Sequence, residues 1–203
     1  KPDYNAYDPH IARSEDGFVY IVYTAFLHGN YHIMLQKMSM DYKPIGDPLR
    51  ISDQTGICLY PSIAPRKGGG VWLCWNSYTH MRRYLDHESY LNHYKYLARR
   101  ALFWYLPVVY AGKYENDTLF LPINKGAGYL LREPFIVENS VAAKNPVIFQ
   151  MSNGTVHIIY RKYDSRMCAH KTPDISITTL TENGWTEPEV IVPCGLYEDF
   201  TSI

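Results

Sequence analysis

Three carboxylates near the two ends of the chain have side chains well suited to chemistry. Asp8 stands directly before Pro9, and Glu198 and Asp199 stand shortly before the last residue of the sequence. Two carboxylates held across a cleft can act as general acid and base, or as nucleophile and acid, on a glycosidic bond. Asp8 also has a simpler interpretation, because an aspartate before a proline often initiates a turn.

A second set of side chains could bind a substrate through hydrogen bonds, ion pairs and stacking. An arginine such as Arg82 or Arg161 could pair bidentately with a substrate carboxylate. Structural alternatives remain open: Tyr60 could pack in a core, and the arginines could be solvated charges. The predicted binding residues are His10, His28, Tyr60, Asn76, Tyr78, Arg82, Asn145, Arg161, Tyr163 and Asp164.

An internal repeat indicates which elements position these residues. Three segments align without a gap, at 8–23, 60–75 and 145–160. Counted from the proline of each segment, an isoleucine falls at +2, a glycine at +8, a valine at +10 and an aromatic residue at +14. The proline has no N–H to donate, so we expect it to open a strand. The glycine predicts a hairpin turn, and the β-branched run after it predicts a second, buried strand.

Two further strands complete each repeat. Third strands are predicted at 31–38, 94–100 and 174–180, and fourth strands at 49–52 and 189–192. Four antiparallel strands in a unit of about fifty residues are typical of a propeller blade. We therefore predict an all-β fold, a β-propeller of four-stranded antiparallel blades. Three blades are present in an incomplete ring, and the second blade carries an extended insertion.

The predicted domain is one partial β-propeller that covers residues 1–203. Blade one covers about 5–57, blade two with its insertion about 58–142, and blade three about 143–197, while 198–203 start a further blade. The insertion includes an enlarged loop at 77–93, and the pattern assigns no role to 103–138. Propellers typically have about four to eight blades. We expect the remaining blades to come from protein that is missing from this chain.

The topology of a blade predicts where a site lies. In an antiparallel hairpin the first strand starts where the second strand ends, and the glycine turn lies at the opposite end. The residue before the repeat proline is Asp8, Tyr60 or Asn145, while the framework positions keep their residue types. Variation within a constant framework is typical of a site that several blades assemble. The sequence therefore predicts a site where the first strands start.

The repeat resembles the sialidase-like (BNR-type) β-propellers, which share a Pro-x-Ile start, a glycine turn and often an Asp-box, S-x-D-x-G-x-x-W. The corresponding turns here are Thr181-Glu-Asn-Gly-Trp185 and Ser39-Met-Asp41. That resemblance implies three substrate-binding arginines, a tyrosine nucleophile and an acid/base aspartate. Arg161 and Tyr163 are candidates, although no arginine triad can be assembled from the sequence.

The stretch Asp8-Pro-His-Ile, followed by Gly-Phe-Val-Tyr-Ile-Val-Tyr-Thr24, also resembles the opening blade of the five-bladed family 43 glycoside hydrolases. This resemblance implies that Asp8 is the general base and that Glu198 corresponds to the general acid. Both resemblances imply a carbohydrate substrate and a secreted or periplasmic protein. The function favoured is a carbohydrate-active propeller, either a glycoside hydrolase of sialidase-like type or a polysaccharide lyase. The alternatives are a non-catalytic propeller that binds glycans or protein, and a scaffold for another domain.

Composition excludes several other classes of function. Lys plus Arg and Asp plus Glu both number 20, so a net charge of zero gives no indication of nucleic-acid binding. No apolar stretch is long enough to predict a membrane span. The four cysteines, Cys58, Cys74, Cys168 and Cys194, show no zinc-site spacing, so neither a metal nor another cofactor is predicted. Cys74 is expected to be a core residue, and a disulfide between Cys168 and Cys194 remains open.

Overall fold

The computed structural model describes residues 5–52, 57–77, 108–120, 143–162 and 174–193. Every regular element in these ranges is a β-strand, and the strands form three antiparallel sheets that follow one another along the chain. Two hydrophobic core clusters, one at each interface between neighbouring sheets, hold the three sheets together. One lies between the first and second sheets, and the other lies between the second and third.

The first sheet contains β1 (Ala6–Arg13), β2 (Val19–Leu27), β3 (Asn30–Met38) and β4 (Leu49–Arg50), in that spatial order. Glycine makes the first hairpin possible, because Gly17 has a φ of 82°. The β2–β3 loop consists of His28 and Gly29, with φ values of 49° and 81°. Two central residues with positive φ form the hairpin turn that matches the twist of the strands. The predicted third strand is confirmed.

The second sheet contains β5 (Cys58–Pro65), β6 (Val71–Ser77), β7 (Val108–Glu115) and β8 (Thr118–Phe120). The prediction of its third strand at 94–100 is wrong, because β6 pairs with β7 from Val71 to Ser77. The reason is burial on both faces. Tyr110 of β7 packs into the core shared with the first sheet, and Val109 packs into the core shared with the third. Residues 94–100 lie outside the described residues, within the connection that 78–107 forms between β6 and β7.

The third sheet contains β9 (Ala143–Gln150), β10 (Val156–Lys162), β11 (Asp174–Thr181), β12 (Gly184–Trp185) and β13 (Glu189–Val192). Both β10 and β13 pair with β11, which confirms the third and fourth strands predicted for this repeat. The Asp-box-like turn is the short hairpin between β11 and β12. Its Thr181 hydroxyl donates to the Gly184 carbonyl at 2.8 Å, and Trp185 is buried in the core. The turn therefore has a packing role.

The repeat proline lies inside each first strand and does not open it, so that prediction is wrong. In β1, which starts at Ala6, the pairing with β2 shifts between Tyr7 and His10. Asp8 and Pro9 therefore face a single residue of β2, which is a β-bulge. A bulge leaves one residue out of the ladder, so a proline without an N–H is tolerated there.

The same bulge recurs at the equivalent positions of the other two sheets. Pairing shifts at Pro61 in β5 and at Pro146 in β9. The residue opposite each bulge is the +14 aromatic of the repeat: Tyr23, Trp75 or Tyr160, each of them buried. These three side chains pack in the hydrophobic cores of the sheets. The sequence repeat therefore encodes a repeated backbone irregularity as well as a set of strands.

Successive first strands lie side by side, because β5 packs against β1 and β9 packs against β5. Each sheet thus presents its first strand toward the same side of the assembly. Within the described ranges the three sheets do not close into a ring. This is the arrangement of blades that the repeat predicted.

Candidate functional site

The bulges impose a strained backbone on the three residues that vary before the prolines. Asp8, Tyr60 and Asn145 have φ values of 48°, 55° and 52°, in the left-handed region. Aspartate and asparagine visit this region more readily than other non-glycine residues, and tyrosine seldom does. Each such residue costs about 1–3 kcal/mol, and such strain is concentrated at functional sites. All three side chains are exposed.

These three residues lie at equivalent places in neighbouring sheets. The strand register pairs Tyr7 with Thr24, Leu59 with Asn76 and Lys144 with Arg161. The start of each first strand therefore lies beside the end of each second strand, as the topology of a hairpin predicts. We call this end of the sheets the mouth end.

Three other predicted residues are exposed at or near the mouth end. His28 forms part of the β2–β3 loop, Arg161 lies near the end of β10, and His10 lies on β1 just beyond the bulge. The structure thus brings imidazole, guanidinium, phenol, amide and carboxylate groups to one end of the sheets. None of the hydrogen bonds or ion pairs found among the described residues involves the carboxylate of Asp8. The Asp8 side chain is exposed.

Asn76 is different, because its side chain is completely buried between the second and third sheets. Its amide nitrogen donates to the Ala143 carbonyl at 2.9 Å, and its amide oxygen accepts from the Asn145 N–H at 3.0 Å. Both partners belong to the start of β9. Contact with a substrate would require Asn76 to leave these partners, so the structure assigns it to holding the Asn145 bulge in place.

The remaining predicted site residues lie outside the part of the chain that the structure describes. Pairing of Asp8 with a second carboxylate from the end of the chain therefore stays a prediction. Among the described residues, the other carboxylate at the mouth end is Asp174, which starts β11 opposite Lys162. Neither Tyr60 nor Asn145 supplies a carboxylate at the bulges. The residues outside the description are Tyr78, Arg82, Tyr163, Asp164, Glu198 and Asp199.

The charged side chains at the opposite end hold the hairpins together. The Asp16 carboxylate accepts from the Tyr20 hydroxyl at 2.9 Å, the Gly70 N–H at 2.9 Å and the Phe18 N–H at 3.1 Å. Desolvation raises the pKa of Asp16, but these hydrogen bonds outweigh it and lower the pKa below its ordinary value. Because Gly70 belongs to the second sheet, Asp16 ties two hairpins together. This end is structural, which separates it from the mouth end.

Sequence reasoning missed a cluster of aromatic side chains at the mouth end of the first sheet, which includes Tyr7, the residue before Asp8 in the chain. Tyr7 and Tyr31 have ring centroids 6.1 Å apart, and Phe26 and Tyr31 have centroids 4.9 Å apart. The signal lay in aromatic residues at the mouth-end positions of β1, β2 and β3. The repeat did not reveal this cluster, because Tyr7, its member on the first strand, precedes the aligned segment.

The described residues contain no group of three histidine, cysteine, aspartate or glutamate side chains with the spacing of a metal site. The same ranges include no helix of the length and apolarity that crossing a membrane requires.

Comparison with known proteins shows a likeness in fold. No protein-family profile and no curated protein matches the chain. Among solved structures, an endo-1,4-beta-xylanase from Bacteroides thetaiotaomicron VPI-5482 matches with a TM-score of 0.50 and 16% identity, over 93% of this chain and 60% of that chain. An endo-arabinase from the same organism has a TM-score of 0.49 and 15% identity, over 90% and 61%. A thermostable family-43 glycoside hydrolase has a TM-score of 0.42 and 16% identity, over 92% and 58%.

The likeness to the xylanase confirms the predicted fold class. The chain is an all-β protein with the four-stranded antiparallel blades of a β-propeller, and the sheets formed by the described residues leave the ring incomplete. It spans 60% of the length of the xylanase and 61% of the length of the endo-arabinase. At these identities the comparison defines the fold alone.

Proposed function

We propose that this β-propeller is part of a glycoside hydrolase that acts on a glycan at the mouth end, with Asp8 as the general base. The observation that carries the proposal is the bulge at Asp8. An exposed carboxylate is held there in a strained conformation, on a first strand beside two equivalent bulges. Strain of this kind is a feature of sites that position a reacting group. The name of the xylanase, a solved structure of the same fold, adds support.

In this proposal Asp8 accepts a proton from a water molecule, and the resulting hydroxide bonds to the anomeric carbon. The glycosidic C–O bond breaks, and the leaving oxygen takes a proton from a carboxylic acid, for which Glu198 and Asp199 are the candidates. A general base needs room for the water, so the two carboxyl groups would be about 6.5–9.5 Å apart. His10, Tyr60, Asn145 and Arg161 would bind the sugar hydroxyls around the reacting bond.

A sialidase-like type is the finer alternative within the same class. It would require three arginines around the substrate carboxylate. Among the arginines that the structure describes, Arg161 is at the mouth end, whereas Arg13 and Arg66 are at the hairpin end, and Arg50 pairs with the middle of β3. We therefore favour the chemistry of a family 43-like base at Asp8. A secreted or periplasmic location accompanies the proposal.

Replacing Asp8 by asparagine tests the assignment. Asparagine tolerates the left-handed conformation as aspartate does, so the bulge should be kept. We expect turnover of the cleaved glycan to fall by a factor of about 100 to 10,000, the usual contribution of a general base. Asp47→Asn is the matched control, because Asp47 is exposed in the β3–β4 turn, away from the mouth end. Arabinan, xylan and sialylated oligosaccharides should be compared as substrates. Unchanged turnover in Asp8→Asn would exclude Asp8 as the base.

A non-catalytic propeller that binds glycans or protein is the second candidate. The observation that favours it is the absence of a carboxylate at two of the three described bulges, which carry Tyr60 and Asn145. Under this alternative the intact protein binds a glycan or a protein without turnover. Asp8→Asn would then change affinity at most slightly and would abolish no reaction.

A further inference from the structure

Three aromatic rings cross the first sheet at its mouth end, one from each of its first three strands. Tyr7 lies on β1, Phe26 on β2 and Tyr31 on β3, and the register pairs Phe26 directly with Tyr31. Tyr31 is in ring contact with both of the others, at centroid distances of 6.1 Å and 4.9 Å. We call these three residues the aromatic stripe.

The stripe starts at the residue that precedes Asp8 in the chain. Tyr7 is the residue immediately before Asp8, on the first strand of the sheet. Neighbouring strands are about 4.8 Å apart, so three strands cover about 10 Å. The direction runs from the first strand toward the outer strands of the blade. The stripe could therefore line a path longer than one sugar ring.

Two of the three rings are exposed, and Tyr31 between them is half-buried. Tyr7 is 43% exposed and Phe26 is 40% exposed. Their planes meet at 57° and 55° to that of Tyr31, so the rings are tilted and do not stack face to face. Packing within the stripe therefore does not use both faces of every ring. A ligand with an apolar face could cover the free faces and remove aromatic surface from water.

β2 and β3 carry two of the three rings on a regular ladder, whereas Tyr7 on β1 lies next to the bulge at Asp8. β2 and β3 pair without a shift from Val19 to Leu27, and the Phe26 N–H donates to the Asn5 carbonyl at 3.1 Å, which extends the β1–β2 ladder. Rings on a paired sheet lose little freedom when they bind. A preorganised surface gains affinity for this reason.

From this geometry we propose that the aromatic stripe is a subsite for the glycan chain that extends outward from Asp8. The subsite takes a neutral sugar chain, because its three rings carry no charge. The C–H faces of successive sugar rings stack on the aromatic faces, and the hydroxyls of Tyr7 and Tyr31 exchange hydrogen bonds with sugar hydroxyls. The inference rests on the proposed function, since the glycan is the substrate that Asp8 acts on.

The test uses the intact protein and two leucine variants, Tyr7→Leu and Tyr31→Leu, which keep apolar bulk and remove the aromatic face. Tyr31→Phe keeps the ring and removes only the hydroxyl. Tyr42→Ala is the control, because Tyr42 is 65% exposed but lies in the β3–β4 turn, away from the mouth end. Unfolding midpoints are measured for every variant, so that loss of the fold is recognised.

Two readouts separate the stripe from the reaction. The first is kcat/KM for a series of oligosaccharides of increasing length from the cleaved glycan. The second is the affinity for the same series, measured by affinity electrophoresis or titration calorimetry in the Asp8→Asn background. We expect each leucine variant to bind long oligosaccharides about tenfold more weakly. The KM for long substrates should rise, kcat for the shortest substrate should stay unchanged, and Tyr31→Phe should keep most of the affinity.

The outcomes distinguish this inference from the proposed function. Loss of turnover in Asp8→Asn, combined with unchanged affinity for long oligosaccharides in both leucine variants, overturns the stripe and leaves the proposed function in place. A decline that is equal for short and long oligosaccharides also overturns it. Unchanged turnover in Asp8→Asn overturns the proposed function, while the length-dependent affinity still decides the stripe. If no neutral glycan binds the intact protein, both are overturned.

Discussion

Replacing Asn76 by alanine should loosen the start of the third sheet and with it the Asn145 bulge. The completely buried Asn76 amide donates to the Ala143 carbonyl at 2.9 Å and accepts from the Asn145 N–H at 3.0 Å. Alanine removes both hydrogen bonds and leaves two backbone groups to find other partners. The sequence around Asn76 does not indicate this effect, because it depends on the backbone groups that the Asn76 side chain contacts between the sheets.

The size of the effect follows from these contacts. Two hydrogen bonds contribute about 1 kcal/mol each, and leaving a buried group unsatisfied adds about 1 kcal/mol more. The free energy of unfolding should therefore fall by about 3 kcal/mol. With a urea m-value of about 2 kcal/mol/M, the midpoint of unfolding should fall by about 1.5 M. The melting temperature should fall by about 6–12 °C for a chain of this size.

Urea unfolding followed by tryptophan fluorescence measures this change. Asn183→Ala is the matched control, because Asn183 is an exposed residue of the β11–β12 turn, and its variant should stay within about 0.5 kcal/mol of the parent. If the free energy of unfolding of Asn76→Ala falls by less than about 1 kcal/mol, close to the change in the control, the Asn76 side chain does not hold the second and third sheets together.

Three further outcomes are expected. Gly70→Ala should lower the free energy of unfolding by about 3 kcal/mol or more, because a Cβ there would overlap the backbone of β7. Gly17→Ala places its Cβ in open space and should lower the free energy of unfolding by only about 1 kcal/mol, because of its positive φ. Urea titration distinguishes the two variants. Burial raises the pKa of Asp16, but the hydrogen bonds that its carboxylate accepts lower it below 3.8 in the folded state. The stabilisation that the Asp16 carboxylate gives the fold is therefore complete above the unfolded pKa and is lost as the pH falls through the folded pKa. The free energy of unfolding of Asp16→Asn should therefore fall less than that of the parent protein when both are titrated to acid pH. Cys74 is fully buried and its thiol pKa is raised by that burial, so mass-spectrometric mapping should find it alkylated by iodoacetamide only after unfolding.

Local patterns in the sequence determined most of the strands. Alternating and β-branched runs are set by neighbouring residues, so β3, β11 and β13 could be predicted close to their observed bounds. Glycine turns such as the one at Gly17 could be predicted for the same reason, since positive φ is a local requirement. The mouth end also followed from topology alone, because an antiparallel hairpin fixes which strand ends meet.

Tertiary contacts decided the rest of the fold. The choice of Val108–Glu115 over 94–100 as the third strand of the second sheet depends on burial against two neighbouring sheets. No local pattern contains that information, because both segments have composition suited to a strand. The bulge at each proline was equally hidden, since a proline predicts a strand start until the partner strand is known to extend past it.

The site divides in the same way. Asp8 could be proposed from the repeat, because its position before the proline is a property of the sequence. Thr24, Asn76 and Arg161 share one repeat position, yet the first two are buried and Arg161 is exposed. The sequence determined that these residues occupy the mouth end. Only the packing of one sheet on the next decided which of them clamps a backbone and which faces solvent, because burial is a property of the neighbour and not of the strand.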